Sequence, residues 1–154
     1  MPGVTNRGKY NILGTYFRNA SIPGGGFALF LATSAQTPTP DTNLKTDLTE
    51  IATGNGYSAG GQDINRDTVD FDVLTEDDVN DRALTQLKDI VFTASGGTLP
   101  ASGSGARWAV LTDRNATLNN REIITYWNLV SDRIVSDGQS ISLLNCEIRG
   151  NEVP

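Results

Sequence analysis

The apolar residues recur at helical spacing near the start of the chain and at strand-like spacing through most of the remainder. In residues 5–18, TNRGKYNILGTYFR, Tyr10, Leu13 and Phe17 repeat at helical intervals with Ile12 and Tyr16 beside them, and Thr5 and Asn6 suit a helix cap. This spacing predicts a short amphipathic helix, which Gly8 and Gly14 weaken by about 1 kcal/mol each relative to alanine. SIPGGG interrupts the pattern, and FALFLATS (27–34) follows as a nearly continuous apolar run, the mark of a central strand covered on both faces. In AQTPTPDTN two closely spaced prolines remove backbone donors, which predicts a loop. Leu44, Leu48 and Ile51 then return to helical spacing and predict a short helical turn.

Past the glycine-rich TGNGYSAGG (53–61), DTVDFDVL (67–74) alternates Val69, Phe71 and Val73 with Asp70 and Asp72 and predicts a half-buried strand. TEDDVNDRA (75–83) reads as a polar turn, and 84–95 ends in a strand that is clearest from Lys88 to Ala94. GGTLPASGSG (96–105) reads as a flexible connector. ARWAVLTD (106–113) predicts a strand and RNATLNN a turn. REIITYWNLV (121–130) predicts a second strand, with Ile123, Thr125 and Trp127 on one face and Ile124, Tyr126 and Asn128 on the other. A turn at Asp137-Gly138 leads to a closing strand, ISLLNCEIR (141–149). Roughly six strands separated by polar turns predict an all-β fold with a short N-terminal helix, an antiparallel β-sandwich of jelly-roll-like kind. The 154 residues suit one domain, with 1–22 as an N-terminal arm bearing the helix and 149–154 as a short C-terminal tail.

Composition narrows the possible partners. The apolar share is 38%, below the roughly 45–50% of ordinary globular chains, so burial against a partner or against further copies is an expectation. A net charge of −6, with 12 basic residues scattered among 18 acids, provides no stripe for nucleic acid and no attraction to an acidic membrane surface. Neither a signal peptide nor an apolar run of membrane-spanning length is visible, which leads us to expect a soluble protein made in a cytoplasm.

The candidate chemistry is sparse. With no histidine, the chain lacks the usual neutral-pH base and the commonest transition-metal ligand, and its one cysteine, Cys146, lies in a strand-like run where a buried, inert thiol is expected. TGNGYSAGG places four glycines in nine residues, but no lysine follows as in a Walker loop, and QDINRD does not start a helix as a dinucleotide fingerprint requires. The loop is therefore expected to be a glycine-bent turn. Asp70, Asp72, Glu76, Asp77, Asp78 and Asp81 crowd one region without the order of a calcium loop, so a solvated acidic face is expected there. Tyr57, Trp108 and Tyr126 are the rings that would stack a sugar in a carbohydrate-binding reading, although a mid-strand tryptophan usually belongs to the core. Neither G-x-S-x-G nor S-x-x-K is present, and no catalytic, cofactor or metal residues are assigned: the expectation is a protein that is not an enzyme.

In order, FALFLATSAQTPTPDTN, LTEIATGNGYSAGGQDI, IVFTASGGTLPA, ARWAVLTD and IITYWNLVSDRIVSDGQSISL resemble small phage virion proteins, over most of residues 10–149. TEDDVNDRALTQLKDI departs from the pattern in being longer and more acidic. The resemblance implies a β-sandwich with a structural role on the virion, as a head decoration (cement) protein or a tail- or fibre-associated component, and it carries over no catalytic residues. The implied partners are the major capsid protein or another virion protein, together with further copies in a dimer or trimer. The implied location is the capsid surface after assembly in the host cytoplasm. Tyr10, Tyr16, Phe17 and Tyr57 are the candidate contact residues, with the 149–154 tail as a second candidate.

Overall fold

A computed structural model describes residues 3–151. A short strand β1 (Gly3–Val4) leads into helix α1 (Asn6–Arg18), followed by β2 (Phe27–Ala32), β3 (Gln62–Ile64), β4 (Val73–Asp77), β5 (Arg82–Leu87) and β6 (Ile90–Thr93). The last third holds β7 (Ala106–Asp113), β8 (Ile123–Arg133), β9 (Ser140–Leu143) and β10 (Cys146–Asn151). All pairings are antiparallel, in a five-stranded sheet ordered β1-β8-β7-β2-β3, a three-stranded sheet β10-β5-β4 and a β6-β9 pair. The fold is all-β and sandwich-like with one short N-terminal helix, as the patterning predicts.

The apolar run FALFLA is central because both of its faces are covered. Leu29 and Leu31 point into the main core, where Ala109, Leu111 and Trp127 of the large sheet meet Leu87, Phe92, Ile141 and Leu143 of the opposing layer. Phe30 and Ala32 point the other way, onto Leu48, Trp108, Val110 and Ile123. That outer face is covered by the segment after β2, in which a 3-10 turn, Lys45–Asp47, stands where helical spacing predicts a turn. Each fully buried Leu or Phe contributes about 1.5–3 kcal/mol, so β2 and β7 form the thermodynamic centre.

Several expectations need correction. Residues 67–72 are a turn, and the strand begins at Val73, because Asp70 is buried rather than solvated. Its carboxylate accepts from the Asn65 N–H at 2.6 Å and pairs with the Lys88 ammonium, while its carbonyl accepts from the Lys88 N–H at 3.0 Å. Lys88 is thereby drawn out of the ladder, which splits the predicted 84–95 strand into β5 and β6. The closing strand splits opposite it into β9 and β10 at Leu144-Asn145, where Asn145 adopts φ 53°. Leu87 faces Cys146 and Ile90 faces Leu143, the same register on both sides, so the break interrupts one ladder rather than joining two.

Along β8 the strict alternation fails. Leu111 pairs with Thr125 but Thr112 pairs with Ile123, leaving Ile124 as a bulge. Ile123 consequently packs with Trp108 on the outer face while Trp127 enters the main core, so these two do not share a face. Residues 96–105 are anchored rather than free: Leu99 is fully buried and exchanges backbone hydrogen bonds with Val135 at 2.9 and 3.0 Å. The stretch 75–83 is a hairpin and not only a turn, since β4 and β5 pair through it, with Asp77 facing Arg82.

Candidate functional site

Helix α1 is seated by its first turn. Thr5, fully buried, caps it: its hydroxyl oxygen accepts from the Gly8 N–H at 2.9 Å and its O–H donates to the Ile123 carbonyl. The Thr5 N–H donates to the Ile124 carbonyl at 3.0 Å, one of the groups displaced by the bulge. Gly8 rests directly on Ile124, where any Cβ would overlap that backbone; the predicted weak point of the helix is what allows its close approach. Asn11 donates to Glu122 at 2.7 Å, and Arg7 pairs with the same carboxylate at 3.5 Å. At the far end Asn19 is left-handed, φ 51°, and the Ala20 N–H donates to the Gly14 carbonyl at 3.1 Å, closing the helix.

This seat leaves the apolar face outward. Gly8 is the only buried residue of α1, while Tyr10, Ile12 and Leu13 are at least half exposed, Phe17 is 74% exposed and Tyr16 83%. Tyr16 and Phe17 pack edge to face at 5.0 Å, and Arg7 lies over the Tyr10 ring at 5.7 Å, so the rings are ordered against one another but not covered. Beneath them opens a groove of about 930 Å³ whose walls include Tyr10, Phe17, Phe27, Phe71 and Ile148. Asp113 stands at its base with one carboxylate oxygen buried and unpaired, and burial holds its pKa above the usual range. Three of the four residues expected to make contacts, Tyr10, Tyr16 and Phe17, thus share one exposed surface.

Tyr57 does not join them. Its ring is 3% exposed, 5.5 Å from Phe92, and belongs to the main core. Its O–H donates to Glu50 at 2.8 Å and its oxygen accepts from the Leu31 N–H at 3.0 Å, and burial raises its pKa well above the usual phenol range. The same Glu50 oxygen accepts from the Gly60 N–H at 2.6 Å, and its other oxygen pairs with Lys45 at 2.6 Å. The glycine loop is therefore a turn fastened from within: Gly54 and Tyr57 exchange backbone hydrogen bonds, and Gly61, at φ 73°, lies against the Leu29 carbonyl. Tyr57 is corrected from contact residue to core residue.

Trp108 is also buried and Tyr126 is half-buried edge-on to it, so two of the three rings for sugar stacking are enclosed. Cys146 is buried, and its thiol is pushed up to about 11, chiefly by burial and also by Asp89. The acidic residues do not converge: Asp70 engages Lys88, Asp77 engages Arg82 and Asn80, and no group of three potential ligands among the described residues is placed to hold a metal ion. Among the described residues no helix is long and apolar enough to cross a membrane. Of the 149–154 tail, Arg149 to Asn151 belong to β10 and pair with β5, while 152–154 lie outside the described residues.

The sequence singles out the rings of α1 but not the glycine that turns them outward, nor the exposed Leu74 and Val79 of the β4–β5 hairpin. No protein-family model matches the chain, and comparison with curated proteins and with solved structures gives no match either.

Proposed function

We propose that this chain is a structural protein of a phage virion, a head decoration (cement) protein that binds the outside of the capsid, contacts the major capsid protein and stabilises the shell, acting as a dimer or trimer. The observation that carries the reading is the uncovered aromatic face of α1, seated on the sandwich through Thr5, Gly8 and Asn11. Exposed aromatic surface of this extent is the mark of a contact surface. The sequence resemblance supports the virion context, and the anchored glycine loops support the rigidity that a shell component needs. The protein acts through contact area, with no catalytic residues and no cofactor.

Counting copies in purified particles of the phage that encodes it tests this reading. Decoration predicts on the order of hundreds of copies, arranged with the symmetry of the shell. About a dozen copies or fewer transfers the protein to the tail or its fibres, and its absence from particles rejects a virion role.

A further inference from the structure

Helix α1 carries Arg7, Lys9 and Arg18 and no carboxylate, in a chain whose net charge is −6. Lys9 and Arg18 are exposed and make no ion pair among the described residues, although Arg7 reaches Glu122. The opposite surface is found between residues 67 and 81, with seven carboxylates and no basic residue. Lys88 and Arg82 neutralise Asp70 and Asp77, which leaves Glu76, Asp78 and Asp81 exposed at the β4–β5 hairpin. The same hairpin holds Leu74 and Val79 in water, Val79 at 90% exposure. Exposed apolar side chains thus stand beside cations on α1 and beside carboxylates on the hairpin.

We infer that α1 of one copy docks on the β4–β5 hairpin of a second copy, an unlike-surface contact that joins copies head to tail. The charges select this pairing. Two α1 faces brought together would oppose cation to cation, and two hairpins carboxylate to carboxylate, whereas helix on hairpin sets Lys9 and Arg18 against Glu76 and Asp78. At about 200 Å² per ring, the three aromatic side chains of α1 leave roughly 450 Å² in water, a little over half of the about 800 Å² per partner of a standard interface. The groove below α1 gives the apolar side chains of the hairpin somewhere to enter. Unlike surfaces close into a ring or into a reciprocal pair, so the contact limits its own growth when the rotation closes. The inference rests on the reading of α1 as an assembly face and is indifferent to which shell the assembly sits on.

Sedimentation velocity on the full chain over a concentration series tests it, with charge reversal on each side. Lys9→Glu with Arg18→Glu, and separately Glu76→Lys with Asp78→Lys, each weaken self-association by about tenfold or more, and all four together restore it. These side chains are exposed, so the fold is retained, as circular dichroism checks. A monomer at every concentration overturns the inference, as does failure of the fourfold variant to recover. Unchanged association of the Lys9→Glu, Arg18→Glu variant also overturns it, because a helix-to-helix contact only exchanges cation–cation for anion–anion opposition whereas helix on hairpin loses its attraction. Binding of a monomeric chain to capsids would reject the head-to-tail contact while leaving the virion reading standing, and self-association without capsid binding would do the reverse.

Discussion

The glycine loop and helix α1 use the same device to opposite ends. In both, a glycine brings backbone against backbone: Gly61 on the Leu29 carbonyl, Gly8 on Ile124. In the loop the close approach draws Tyr57 inward, where Glu50 and Leu31 hold its hydroxyl. In the helix the close approach occupies the inward face with nothing but hydrogen, so that Tyr10, Tyr16 and Phe17 are left in water. Glycine spacing alone therefore says little about function; what matters is which side chains its neighbours are forced to present.

Substituting the two glycines breaks the comparison most forcefully. At Gly61 alanine meets both a left-handed φ and the Leu29 carbonyl, where β3 joins β2, and a loss of about 3 kcal/mol or more, or failure to fold, is expected in urea titration. At Gly8 alanine is favoured by helix propensity but overlaps Ile124, so the expected result is an unseated α1 on a folded sandwich, with a loss of about 1–2 kcal/mol. Equal losses at the two sites would show that the helix is part of the cooperative core.

Next in size is Tyr57→Phe, which retains the ring but leaves the Leu31 N–H and a Glu50 oxygen short of a partner. The expected cost is about 1–3 kcal/mol in the denaturation midpoint, with a normal fold. Acid acts on a third anchor. The Lys88 ammonium and the Asn65 N–H hold the Asp70 carboxyl below its ordinary pKa, so its stabilisation is full above about pH 4 and disappears as pH falls through the lowered folded value. The stability difference between the native chain and Asp70→Asn, measured from about pH 6 to about pH 2, should therefore shrink toward the acid end. The smallest effect belongs to the open face: Tyr16→Ser and Phe17→Ser should each change stability by no more than about 0.5 kcal/mol while altering self-association in light scattering.

Much of this architecture is legible in the sequence, where burial is continuous and local. ARWAVLTD corresponds residue for residue to β7, α1 differs from its predicted span by one residue, and FALFLATS loses only its last two. Three of the misreadings come from contacts that the local pattern does not show. Asp70 reads as a solvated strand residue until Lys88, eighteen positions later, is seen to take it inward. The bulge at Ile124 is invisible to alternation because it serves Thr5 at the other end of the molecule. Tyr57 looks like a loop-tip ring because nothing local indicates that Glu50 and Leu31 will hold its hydroxyl. For the candidate site, residue type was readable and orientation was not.

The bulge at Ile124 also has a mechanical consequence. Helix α1 is held at Thr5, Gly8 and Asn11, and from Ile12 to Arg18 it projects about 10 Å without a buried side chain. It is a lever whose fulcrum is the kinked edge of β8. A load applied at Phe17 would act at that distance from the Thr5 and Gly8 contacts, which adjoin the two residue pairs that join β1 to β8.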